Sequence, residues 1–160
     1  MCQVADDLFG MNMYSVKPTG IGGDDKVGVD ICLEMLSKHD AVKIVFFRNE
    51  EFGCLGSQKA VMSFFKDCAF VIQADRRGCT DFIKKSNGCD LYSKKFRRAI
   101  NPILKTYGYH EDIGTVTDVG QLKSKGLDIC CANISCGYYS YHTNNEFIVT
   151  GDVEVCLNIF

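Results

Sequence analysis

Residues 42–75 read VKIVFFRNEEFGCLGSQKAVMSFFKDCAFVIQAD, and the order of residue types within them sets the fold class. The stretch opens on Val42–Phe47, a short run apolar on both faces, which predicts a strand inside a sheet covered on two sides. Glu50 and Glu51 follow it. From Cys54 to Asp67, Val61, Phe64 and Phe65 fall on one stripe with Cys68 beyond them, the spacing of a helix. Phe70–Gln73 is a second apolar run, read as another buried strand, and Asp75 follows it. Strand, acid, helix, strand, acid is the repeating unit of an α/β domain built on parallel neighbours.

The flanks extend this pattern. Upstream, Lys17–Gly23 is a turn rich in Gly and Pro, and Asp7–Tyr14 reads as a strand or hairpin arm. Asp24–Ser37 predicts a helix with Val27, Ile31, Cys32, Met35 and Leu36 as its apolar positions. An aspartate at its start suits the helix dipole. Downstream, Ser93–Tyr107 has helical spacing, with Pro102 expected to kink or divide it. Thr117–Lys125 predicts a short helix ended by Gly126, and Leu127–Ile134 a third strand. Phe147–Val149 is short and extended. Thr150 caps a final helix with Val153, Cys156, Leu157 and Phe160 inward. The expectation is one domain over residues 1–160: a three-layer α/β sandwich with a mostly parallel central sheet.

Bulk properties narrow the function classes. A 160-residue chain, 46% apolar, is long enough to bury a real core. Its net charge of −2 and scattered basic residues argue against nucleic acid as a partner. No apolar run approaches the roughly 20 residues of a membrane span, and the N-terminus lacks a signal-peptide pattern. The ten cysteines include no C-x-x-C pair. They read as reduced, mostly buried small side chains in a cytoplasmic setting, neither a disulfide framework nor a thiolate metal site. A cysteine-based redox role finds no supporting pattern.

The acids fall at structurally regular places. Glu50 and Glu51 lie beyond one predicted strand, Asp75 beyond the next, and Asp24 opens a helix after a glycine turn. In open α/β sheets the ligand crevice lies outside the carboxyl ends of the strands. His142, in a Gly- and Tyr-rich loop after the third predicted strand, can join them there. Converging carboxylates repel one another unless a cation neutralises them, and oxygen with imidazole donors suits zinc, manganese or cobalt. Taken singly, each of these residues reads as a solvated loop charge. From physics alone both readings stand.

Specific motifs tip the balance. Gly20-Ile21-Gly22-Gly23-Asp24-Asp25-Lys26-Val27-Gly28 resembles the G-x-x-D-x-K segment of the co-catalytic di-zinc exopeptidase clan that includes peptidase T, carboxypeptidase G and the aminoacylases. Phe46–Gly53 resembles that clan's tandem-glutamate motif, and Val71–Asp75 its following strand with a terminal acid. Thr117-Asp118 resembles its threonine–aspartate element, and Cys136–Thr143 its closing G-Y-Y-x-x-H-T segment, followed here by Glu146. The resemblance implies a peptide or acyl-amino-acid hydrolase with two zinc ions. Asp24 would bridge the ions, Glu51 and His142 would complete one ligand set, and Asp75 would serve the other. It also implies Glu50 as general base, and Asp118, Gly137 and Tyr138 on the substrate side. The residues themselves leave Asp118 equally a helix cap and Tyr138 a core or pocket-wall aromatic.

Two departures accompany it. The family's H-x-D motif has no counterpart before Asp24, since the first histidine is His39, so the chain resembles a core shortened at its N-terminus. Only about 40 residues separate Asp75 from Thr117, which implies no separate lid domain. The competing expectation is a non-catalytic peptide- or metal-binding module of the same fold. His39 and His110 are expected at the surface.

Overall fold

The computed structural model describes residues 20–160; the expected arm Asp7–Tyr14 and the first half of the turn before Gly23 lie outside the described residues. The first helix, α1 (Gly23–Lys38), buries Val27, Ile31 and Met35, spaced by four residues so that one face meets the sheet. Leu36, another of the helix's apolar positions, is half exposed because it lies off that stripe. Next come a short helix α2 (Leu55–Gln58), a 3-10 turn (Met62–Phe65), and strands β1 (Phe70–Arg76), β2 (Asp81–Ser86) and β3 (Cys89–Asp90). Helix α3 (Lys94–Thr106), strand β4 (His110–Gly114), helix α4 (Asp118–Ser124), strands β5 (Cys130–Ser135), β6 (Tyr138–Tyr139) and β7 (Phe147–Ile148), and helix α5 (Thr150–Leu157) complete the order.

The main sheet runs β1-β5-β2-β3, with β4 also paired to β2. β1 is parallel to β5 and β2 to β4, whereas β2 is antiparallel to β5 and β3. The expected α/β layering is present, on a mixed sheet. Strand alternation divides the core into two faces. Phe82, Ala132 and Ile134 pack with α1, α3 and α5 through Ile31, Leu104 and Cys156. On the opposite face Ile83 and Cys131 pack with Val119 and Leu122 of α4 and with Phe65.

Val42–Phe47 corrects the reading. Among the described residues it carries no strand pairing, and Phe46 is 54% exposed. Between it and β1 lies a cavity of about 680 Å³, lined among others by Ile44, Phe64, Phe70 and Ile72. The helix expected over Cys54–Asp67 is likewise divided into α2 and the 3-10 turn, which leaves Val61 70% exposed. By contrast Pro102 sits within a continuous α3, where the carbonyl it deprives of a donor, that of Arg98, belongs to an exposed residue. β2 and β4 were not foreseen. Among the described residues no helix is long and apolar enough to cross a membrane.

Candidate metal centre

The carboxyl end of β1 and the turn before α1 meet the loop after β6. Gly22 (φ 72°) lets the chain turn into α1, and the buried Glu146 carboxylate grips the result: Oε2 accepts from Gly22 N at 2.7 Å and Oε1 from Asp24 N at 2.9 Å. Lys26 turns away from the groove to donate to Ile21 O. Asp24 is thereby aimed at His142, whose own backbone is left-handed at φ 59°. The His142 Nε2 lies 3.0 Å from Asp24 Oδ2 and 2.7 Å from Glu51 Oε1. Ligand atoms of these three residues all lie within 4.8 Å of one another. One ring nitrogen can donate to only one acceptor, yet it faces two carboxylates; three donors converging on a point is the geometry a cation takes.

Asp75 is held separately. Its Oδ2 accepts from Gln73 Nε2 at 2.8 Å, and the Gln73 amide oxygen in turn accepts from Val119 N at the start of α4. Tyr138 OH reaches Asp75 Oδ1 at 3.4 Å. Below it, the Asn133 side chain accepts from Asp75 N and donates to Asp75 O, filling the point where the β1–β5 register shifts. Asp75 stands beside the three converging residues and is not drawn in among them.

The electrostatics are those of an acid cluster without compensation. Burial, with Asp25, Asp24 and Glu50 nearby, pushes the Asp75 carboxyl up to about 9. Burial and Asp24 push Asp25 up to about 7. Asp24 and Glu50 are also raised, by burial first and then by Glu51. Among the described residues no lysine or arginine pairs with Asp24, Asp25, Glu50 or Asp75. The oxygen and imidazole donor set fits zinc, manganese or cobalt, and the unbalanced charge calls for one.

The remaining sequence candidates take other places. Asp118 is buried and accepts from Ser57 Oγ at 2.5 Å, while Thr117 caps α4 through Gly120 N. Gly137 has φ 93° and its amide donates to Gly78 O, a backbone turn packed on Val153. Tyr138 is a core residue whose hydroxyl alone reaches the site. His39 and His110 are exposed as expected. Gln73, Asn133 and Cys54 were missed; their uncharged side chains carry no sequence signal that separates them from ordinary strand or turn residues.

Solved structures share this fold. An aminopeptidase from the archaeon Desulfurococcus kamchatkensis aligns with a TM-score of 0.67 at 18% identity, over 88% of this chain and 46% of its own. The dodecameric PhTET1-12s gives 0.59 at 19% identity, over 88% and 48%. The TET aminopeptidase of the marine sediment archaeon Thaumarchaeota archaeon SCGC AB-539-E09 gives 0.63 at 15% identity, over 88% and 47%. The chain spans about half the length of these structures. No curated protein matches it. The model of peptidase family M28 matches residues 14–150, a span that contains Asp24, the Glu50-Glu51 pair, Asp75 and His142. On that match over most of its sequence, the chain belongs to peptidase family M28.

Proposed function

We propose that the chain is the catalytic core of a metal-dependent exopeptidase of the aminopeptidase type, acting on small peptides or acyl-amino-acid amides. The observation that carries this reading is the convergence of Asp24, Glu51 and His142, ligand atoms within 4.8 Å of one another, inside a family M28 match. These three would hold one metal ion, zinc by donor chemistry, with Asp24 and Asp75 the described residues able to serve a second. When bound, the metal acidifies water and polarises the scissile carbonyl. Glu50 supplies the base. Its half-buried carboxyl, raised by burial and by Glu51, is poised to take a proton from the attacking water and return it to the leaving amine. Neighbouring residues of a turning segment point apart, so Glu51 can ligate while Glu50 faces the water. A cytoplasmic setting fits the nine free cysteines among the described residues.

A second reading, a module that binds metal or peptide without turnover, draws on Asp75 standing outside the three-residue cluster. Elemental analysis with hydrolysis of a panel of dipeptides and amino-acid amides separates the two. Glu50→Gln is expected to keep the metal and lose roughly 10²–10⁴-fold in kcat. Metal retained by the unmodified chain with no hydrolysis of any substrate would favour the binding module.

A further inference from the structure

The turn that carries Glu50 folds back on itself more tightly than a loop between two elements requires. Gly53 and Cys54 both have positive φ (85° and 58°), and three backbone bonds close the reversal: Cys54 N to Glu50 O, Leu55 N to Asn49 O and Gly56 N to Arg48 O. A non-glycine residue in the left-handed region persists only where its surroundings hold it there. Here the consequence is a fully buried Cys54 seated under Glu50, with Sγ 3.7 Å from Glu50 Oε1. On its other side stands Asp118 at the start of α4, near enough for its charge to raise the thiol. Ser57 fixes this side of the arrangement, its single hydroxyl hydrogen donating to Asp118 Oδ1 at 2.5 Å, with Cys54 O beside it at 3.1 Å.

We infer that Cys54 is the positioning residue of Glu50, its thiol donating to the carboxylate while the Ser57–Asp118 pair seats the thiol from behind. The inference rests on the exopeptidase reading for what the positioning accomplishes, and on geometry alone for the contact. A base needs a fixed direction but must stay free to take a proton. A thiol suits that need, because S–H is a weak donor that orients a carboxylate without binding it tightly. Burial, followed by the nearby Asp118 and Glu50, pushes the Cys54 thiol up to about 12, so the donor hydrogen is kept. One hydrogen faces two carboxylates; Ser57 already serves Asp118, which leaves the thiol proton for Glu50.

The test compares Cys54→Ala, which removes the donor, with Cys54→Ser, which restores one. With metal loaded and a dipeptide as substrate, Cys54→Ala is expected to lower kcat roughly 10- to 100-fold, the scale of a misplaced catalytic group, with KM and zinc affinity nearly unchanged. Cys54→Ser is expected to recover most of the lost kcat. Parallel loss of kcat, zinc affinity and melting temperature in both variants would assign Cys54 a packing role only and overturn the inference. The contact is also read without activity, in the infrared S–H band that disappears in Cys54→Ala. That band is expected to move in Glu50→Ala and to stay in place in Glu51→Ala. An unmoved band overturns the inference whatever the activity; a moved band in a chain that hydrolyses nothing retires the exopeptidase reading and keeps the contact.

Discussion

Asp75 and Glu50 are close enough to feel each other's charge, yet the segments beneath them are secured in different ways. Asp75 lies in a strand laddered to β5 from Phe70 to Gln73 and again at Arg76, and across the break the Asn133 side chain takes both its backbone N–H and its C=O. Among the described residues the Glu50 side has no ladder. Val42–Phe47 is tethered through Lys43, which donates to Phe64 O and pairs with Asp67. Beyond Glu50 the chain is tied to α4 by Lys125, whose Nζ donates to Ala60 O at 3.0 Å and to Gln58 O. One side of the site is built by the sheet, the other by a backbone turn joined to the rest through side-chain tethers. Local opening free energy follows such differences, so the Glu50 side is expected to open before the Asp75 side.

The contrast is most exposed at Asn133. Asn133→Leu leaves the Asp75 N–H and C=O buried without partners, which should cost about 2–3 kcal/mol of stability by urea denaturation. A loss under about 0.5 kcal/mol would mean that the laddered side is no firmer than the tethered one. Protons sharpen the comparison. Burial and the neighbouring acids push Asp75 up to about 9 and Asp25 up to about 7 in the fold, against 3.8 ordinarily, so above 3.8 the folded chain holds protons that the unfolded chain has released. Their contribution is therefore full at low pH and is lost as pH rises through about 7 and then about 9. The melting temperature of the metal-free chain should fall between pH 6 and pH 9, and zinc should flatten the slope by favouring the ionised site. The smallest effect belongs to the tether. Lys125→Met should cost less than about 1 kcal/mol overall while speeding amide exchange at residues 54–60 and leaving residues 70–75 protected. Equal acceleration on both sides would erase the distinction.

The sequence is legible wherever a strand or helix is apolar on the face it buries. β1, α1, α3, α4 and α5 all emerge within a few residues of their observed ends, and the acid at the end of β1 with them. β2 and β4 do not. Asp81–Ser86 carries Lys84 and Lys85, and His110–Gly114 opens on His-Glu-Asp, charges that suit solvent until their partners are known. In the fold Arg76 pairs with Asp81 and Asp112, and Glu111 with Arg97. Those pairings join residues up to 36 positions apart, beyond the reach of any local pattern. Val42–Phe47 departs in the opposite sense: its apolar residues predict burial, but among the described residues no strand pairs with it and a cavity separates it from β1. In the site, Asp24, Glu51 and His142 were readable because ligating groups are chemically distinctive. Asp118 was legible as a residue but not by its surroundings, since Ser57 and Cys54 are reached only through the reversal after Phe52.

The Glu146 clasp has a further effect on cation binding. By holding Gly22 and Asp24 it joins positions more than 120 residues apart, and the entropy of that closure is met as the chain folds, before any ion arrives. An incoming ion then has chiefly the exposed side chains of Glu51 and His142 left to order, which lowers what its capture must overcome.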